Sequence, residues 1–249
     1  MAKAGMASLH RNFAAAKRAV IIGSSGGIGS ALARQLAEDG FGVACLSRPR
    51  GRIGDQGEVS IDITNESSVA EAAARLADQG PYIIILVATG LLHDDKIAPE
   101  KTYRVLSQST LQTYFAVNSI GPALVAKHFI PLLPKTGRCV FAALSARVGS
   151  IADNRLGGWY GYRASKAALN MLIKTLAIEV GRTRPGAICV GLHPGTVDTN
   201  LSKPFQPSVA PERLFMADDA ARQLVNVVEN LTPADSGGCF SWNGERILP

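Results

Sequence analysis

No acidic residue precedes Glu38, while Lys3, Arg11, Lys17 and Arg18 make the start of the chain basic. Residues 1–17 therefore read as a basic tail, a reading preferred here to an organelle transit segment. Cysteine is scarce: Cys45, Cys139, Cys189 and Cys239 are too scattered for a C-x-x-C or Cys/His ligand set. That spacing argues against any metal site. Thiols set in apolar runs fit buried free cysteines in a reducing, cytoplasmic setting. Aromatic residues are only 6% of the chain and are not interleaved with basic runs. A formal charge of +6 is thus better matched to small phosphorylated anions than to nucleic acid. No apolar run reaches the ~18 residues of a membrane span. Repeats, low-complexity tracts and a Pro/Gly/Ser linker are also missing, so residues 18–249 read as one domain.

What is present is an alternation. Arg18 to Gly23 is a short apolar run stopped by glycine, and Ser24-Ser25-Gly26-Gly27-Ile28-Gly29 follows it. Ser30 to Asp39 then has helical periodicity. Strand, glycine turn and helix form the first unit of a dinucleotide-binding fold, in which backbone N–H groups meet a pyrophosphate at the helix N-terminus. The spacing Gly-x-x-x-Gly-x-Gly departs from the usual fingerprint. Phe41 to Ser47 is a second strand. Where an acidic residue would bind the ribose of NAD, Ser47 stands instead, followed by Arg48, with Arg50 and Arg52 beyond. A cation at this point accommodates a 2′-phosphate, so NADP(H) is expected over NAD(H).

Glu58 to Asp62 is a third strand, ending at Asp62-Ile63, and a capped helix runs from about Thr64 to Ala77. Tyr82 to Val87 is an unbroken apolar strand of the kind covered on both faces, leading into Ala88-Thr89-Gly90. A long helical pattern from Ser109 to Phe129 passes through Asn118, with a kink expected at Gly121-Pro122. Arg138 to Leu144 is a fifth strand running into Ser145. A helix follows from about Trp159 to Val180, then a sixth strand over Ala187–Leu192. Leu201 to Glu212 reads as a mobile loop, Ala217 to Leu231 as a helix and Cys239 to Trp242 as a last strand. The expected fold is α/β: a single-domain, Rossmann-type, doubly wound parallel sheet of about seven strands with helices on both faces.

Tyr162 and Lys166 lie four residues apart at the start of the fifth strand's following helix. That spacing puts a phenol and an ammonium on one helix face. A neighbouring cation favours the phenolate, which would lower the tyrosine pKa and fit it for proton transfer to or from an alcohol. Tyr160 lacks this partner, because the residue four after it is Ala164. His93, His128 and His193 show no ligand spacing and read as structural or loop residues.

Taken together, Gly23-x-x-x-Gly27-Ile-Gly29, Asn118, Ser145, Tyr162-Arg-Ala-Ser-Lys166 and Pro194-Gly195-x-x-x-Thr199 resemble the short-chain dehydrogenase/reductase family. The stretch from Ser145 to Asn170 is similar to its C-factor and Sniffer branch, akin to carbonyl reductases. The resemblance implies that Tyr162 is the general acid/base, that Lys166 holds the nicotinamide ribose and that Ser145 hydrogen-bonds the substrate oxygen. It implies that Asn118 fixes a water linking Lys166 to solvent. Thr199 and Val197, beside Pro194 and Gly195, would hold the nicotinamide carboxamide, and Asp62 would meet the adenine.

Two departures stand out. Val87-Ala88-Thr89-Gly90 replaces the family's Asn-Asn-Ala-Gly, and Ser145 precedes Tyr162 by more residues than in the commoner pattern. The additional residues, within Ser150 to Trp159, should form a loop over a cleft lined by Leu91, Leu92, Val148, Ile151, Trp159 and Phe205. The implied activity is hydride transfer between NADPH and a small carbonyl or alcohol compound. The alternative is a non-catalytic dinucleotide-binding signalling or redox-sensing protein. Apolar residues on several faces of the two long helices suggest a homodimer or homotetramer.

Overall fold

The computed structural model describes residues 17–48 and 59–249. The rest of the basic tail, Arg50, Arg52 and Glu58 lie outside the described residues. Among the described residues ten strands and six α-helices follow in chain order: β1 Arg18–Ile22, α1 Gly27–Glu38, β2 Gly42–Ser47, β3 Val59–Ser60, α2 Glu66–Leu76, β4 Ile84–Val87, α3 Gln108–Phe115 and α4 Gly121–Phe129. Then come β5 Cys139–Leu144, α5 Tyr160–Thr183, β6 Ala187–His193, β7 Thr196–Val197, β8 Leu214–Phe215, α6 Ala217–Asn230, β9 Cys239–Ser241 and β10 Arg246–Ile247.

Eight strands form one sheet in the order β10-β9-β6-β5-β4-β1-β2-β3. Its pairings are parallel except β9 with β10. The expected seven strands thus become eight, because Arg246–Ile247 turns back on β9 as an antiparallel edge too short to show a period. A separate two-stranded parallel ribbon joins β7 to β8, pairing Thr196 with Leu214 and Val197 with Phe215.

Both sheet faces are covered, which explains the near-continuous apolar character of β1, β4, β5 and β6. On one face Val69, Val125, Phe129, Leu169 and Ile173 bring α2, α4 and α5 against the strands. On the other, Leu32, Leu36, Leu224 and Val228 bring in α1 and α6. Strand order reverses between β1 and β4, whose carboxyl ends frame the crevice where ligands bind in open α/β sheets.

Three elements differ from their sequence signals. The long pattern breaks at Ala116–Ile120, a π-helical turn in which the Gly121 amide donates to Ala116 O. Pro122 sits in the first turn of α4, directly after this π turn, where its missing N–H is not needed. Gly121 packs closely on α2's approach, since a Cβ there would lie 2.8 Å from Ile63 Cδ1. α5 starts at Tyr160 and passes through Gly181 to Thr183. The segment from Leu201 to Glu212, expected to lack structure, contains short 3-10 turns at Lys203–Ser208 and Pro211–Arg213.

Candidate active site

β1 ends in a turn that the sheet itself holds: the Gly23 and Ser24 amides donate to Leu46 O at 2.7 and 3.1 Å. Gly23 has φ +90°. α1 packs so tightly beneath this turn that a Cβ on Gly29 would stand 2.1 Å from Gly23 O. Gly26, which precedes α1, has no side chain to cap it, an arrangement that suits a pyrophosphate at the helix start. A Cβ on Gly27 would meet Thr199 Cγ2 at 2.6 Å, so the loop after β6 closes directly on the glycine turn.

From this turn a cleft of about 620 Å³ crosses the carboxyl ends of the strands. Of the anticipated cofactor residues, Gly23, Ser25, Gly26, Arg48, Asp62, Ile63, Ala88, Thr89 and Gly90 line it. Ser24, Gly27, Ile28, Gly29, Pro194, Gly195, Val197 and Thr199 do not line it. Ser24 is buried, and Gly27 to Gly29 form the first turn of α1 behind the cradle. Gly195 has a packing reason of its own: a Cβ would lie 2.6 Å from Phe215, which stacks on Trp242 at 4.7 Å. His93, read as a loop residue, lines the cleft too, and its Nε2 lies 3.0 Å from Asn200 O.

Asp62 is held by Thr64, whose backbone N–H and hydroxyl donate to Oδ1 at 2.9 and 2.7 Å. These bonds, with a smaller contribution from the Arg48 charge, hold its carboxyl below the usual range. Arg48 thus brings positive charge to the end of β2.

Of the four anticipated catalytic residues, Lys166 and Asn118 approach the cleft at Gly90, while none of Asn118, Ser145, Tyr162 and Lys166 lines it. A Cβ on Gly90 would come 3.7 Å from Lys166 Nζ and 3.8 Å from Asn118 Oδ1, so Gly90 joins the two regions. It would also come 3.9 Å from Leu201 Cδ1, placing that side chain over the junction. Asn118 accepts the Leu91 amide at 2.8 Å and donates to Leu91 O at 2.9 Å and Ser165 Oγ at 3.1 Å. Its side chain ties the loop after β4 to α5.

Lys166 is buried, with Nζ donating to Leu144 O at 2.7 Å and lying 5.9 Å from the Tyr162 ring centre. Desolvation pulls its pKa down to about 8. Tyr162 is buried as well, and desolvation pushes its pKa up to about 12. The expected lowering of the phenol pKa is therefore not found: loss of water outweighs the cation, which is itself committed to a backbone carbonyl. At neutral pH Tyr162 is a protonated phenol.

Ser145 donates to Asn170 Oδ1 at 2.6 Å. Asn170 escaped the sequence reading, although it lies four residues beyond Lys166 and eight beyond Tyr162, on the same face of α5. Leu92, Tyr114, Ala146 and Tyr162 form a buried cluster, against which Leu91, Val148, Trp159 and Phe205 pack. Ile151, expected in the cleft wall, is instead 78% exposed. The extra residues before α5 reach the cleft through Trp159, whose ring stands 6.2 Å from Tyr162 and 5.0 Å from Phe205.

A glycine cradle at the first strand–helix turn, next to a buried Tyr/Lys pair on one helix face, defines a dinucleotide-dependent oxidoreductase site of Rossmann type. The short chain dehydrogenase family model matches residues 17–210, and the chain belongs to that family. It is 31% identical over 223 residues to the 1-hydroxy-2-glutathionyl-2-methyl-3-butene dehydrogenase of Rhodococcus sp. (strain AD45), covering 88% of this chain and 93% of that protein. It is 34% identical over 134 residues to the C-signal of Myxococcus xanthus, covering 53% and 75%. The NADPH-bound carbonyl reductase from chicken fatty liver superposes with a TM-score of 0.79 at 23% identity, over 94% of each chain.

Proposed function

We propose that the protein is an NADP(H)-dependent oxidoreductase of small carbonyl and alcohol compounds, with Tyr162 as general acid/base. The observation that carries this reading is the approach of Lys166 and Asn118 to Gly90, which lines the cleft that starts in the glycine cradle, with Tyr162 one helical turn before Lys166 on α5. The cradle fits a dinucleotide: Gly23, Gly27 and Gly29 leave no room for a Cβ, and Gly26 before the helix offers no side-chain cap. Bound there, the cofactor supplies or accepts a hydride.

The chain's own residues do the remaining work. In the reducing direction negative charge builds on the substrate oxygen, and the protonated Tyr162 hydroxyl stabilises it and delivers its proton. Lys166, held against Leu144 O, has a pKa close enough to neutrality to exchange protons with its surroundings. Ser145, oriented by Asn170, supplies a second polar group to the same oxygen. Asn118 keeps the Gly90–Leu91 loop in place and, in this reading, also holds the water that serves Lys166.

Arg48 supports NADP(H) over NAD(H), because it brings a guanidinium to the end of β2 at the edge of the cleft. The chicken carbonyl reductase with the similar fold is NADPH-bound. On the α4–α5 side Ile120, Met171, Leu172 and Ile178 are exposed, which supports a homodimer or homotetramer. Buried thiols at Cys139, Cys189 and Cys239 suit a reducing, cytoplasmic compartment. A signalling role without turnover finds support only in the likeness to C-signal, and it leaves the buried proton-transfer group without a purpose.

The test is NADPH oxidation against a panel of aldehydes, ketones and quinones, with Tyr162→Phe alongside. Loss of proton transfer should lower kcat by about 10²–10⁴-fold, with NADPH affinity by fluorescence titration left nearly intact. Full turnover in Tyr162→Phe would reject the assignment.

A further inference from the structure

The junction leading into α5 is strained, and one residue from a distant loop holds it. Gly157, Gly158 and Trp159 lie in succession at φ +63°, +65° and +54°, and Trp159 is the one non-glycine among the described residues with positive φ. A bulky side chain in that region costs about 1–3 kcal/mol unless the surroundings enforce it. Here the Trp159 amide donates to Glu100 O at 2.5 Å. Two residues on, the Gly161 amide donates to Glu100 Oε2 at 3.1 Å. α5 has no side-chain cap from its own flanking residue, so Glu100 caps it from the loop after β4.

The site is built around this contact. Glu100 is 4% exposed, and its second oxygen, Oε1, has no hydrogen-bond partner among the described residues. Residue 161 must be glycine, because a Cβ would stand 2.4 Å from Tyr114 Cδ2 and 2.9 Å from Glu100 Oε1. Tyr162 follows immediately, its ring fixed between Tyr114 at 6.3 Å and Trp159 at 6.2 Å. A buried acceptor with an unmet lone pair works against stability. It is retained where it sets the first turn of the helix that carries Tyr162.

We propose that Glu100 is a positioning residue for the reaction. Its carbonyl holds Trp159 in the left-handed conformation that sets the indole against Tyr162 and Phe205, and its carboxyl caps α5 so that Tyr162 faces that ring. This rests on Tyr162 being the acid/base, and it adds a residue whose removal should impair turnover without touching the cofactor cradle.

The experiment compares Glu100→Ala and Glu100→Gln in the full-length protein. It measures amide hydrogen exchange at Trp159 to Tyr162, NADPH affinity and steady-state kinetics. Glutamine keeps the length and one acceptor oxygen for Gly161, whereas alanine keeps neither. In Glu100→Ala, Gly161 exchange should accelerate and kcat should fall, each by about tenfold or more, while NADPH affinity stays within about twofold. Glu100→Gln should restore both to within about threefold of the parent. Unchanged exchange and kcat in Glu100→Ala would overturn the proposal, as would a glutamine variant as impaired as the alanine one. Should Glu100→Ala not fold, Glu100→Asp replaces it, with the carboxyl drawn back by one methylene. Aspartate should then lower kcat and loosen Gly161, and a kcat equal to the parent's would overturn the proposal. If Tyr162→Phe retains turnover, the acid/base reading fails by itself, and Gly161 exchange still judges the clamp.

Discussion

At the Gly23 end of the cleft part of the wall is backbone: Gly23, Gly26 and the start of a helix whose preceding residue has no side chain. At the Tyr162 end the walls are side chains, with Trp159, Phe205 and Tyr114 packed on the phenol and Leu201 over the junction at Gly90. In the first region Gly23 and Gly29 leave no room for a Cβ. The second is filled, and its ionisable groups are perturbed by loss of water. One region takes its shape from close backbone contacts, whereas the other is packed with its own side chains.

The sharpest way to break this contrast is to fill the backbone region. In Gly29→Ala the added Cβ would stand 2.1 Å from Gly23 O, and two backbones cannot both keep their places. A loss of about 3 kcal/mol or more in stability is expected, with NADPH binding weakened by at least about 100-fold. Thermal unfolding and fluorescence titration check both.

Relieving the buried region should have the opposite sign. Lys166 has a folded pKa near 8 against an ordinary 10.5. Between those values the unfolded chain binds more protons, so stability contributed by this group rises as pH climbs from about 8 to about 10.5. Tyr162, raised to about 12, takes stability away as pH rises from about 10 to 12. Lys166→Met should therefore be more stable than the parent at pH 7, by about 2–3 kcal/mol without cofactor, yet inactive. Denaturant melts at pH 7 and pH 10 should show that advantage shrinking at the higher pH.

Smaller effects are expected where the two regions meet ligand groups at their edges. Arg48→Ser should weaken NADPH by about 10–100-fold while leaving NADH nearly unaffected, the worth of one charge-assisted contact. Equal losses for both cofactors would remove Arg48 from 2′-phosphate recognition. Phe205→Ala opens the packed end with a change of about 3–10-fold in substrate KM and little in NADPH affinity. Kinetics with a bulky and a compact carbonyl substrate would show it.

The backbone region was largely legible in the sequence because backbone chemistry leaves its mark as glycine. Strand, turn and helix from Arg18 to Glu38 followed from that mark, and Arg48 from its place after β2. The packed region was legible only in part. Tyr162 and Lys166 share a helix face, and that spacing is visible. Their protonation was not, because it depends on desolvation by residues from β5, α3 and the loops. Glu100 carried no signal: its partner Gly161 lies 61 residues away and bonds through the backbone. An interruption of the long pattern was legible at Gly121-Pro122, but its form, a π turn over the five residues before, was not. The edge pairing of β10 was missed because two residues have no periodicity to read.

The ribbon of β7 and β8 stitches together the two ends of the segment that carries Leu201 and Phe205. Asp198 N bonds to Phe215 O at 2.8 Å, so the stem is closed whatever the span above it does. Chain length within such a closed span is entropically cheap to alter, at only ~0.6 kcal/mol per doubling. The protein thus hangs a stretch of chain on a closed stem, whose length can change while the sheet and the glycine turn stay in register.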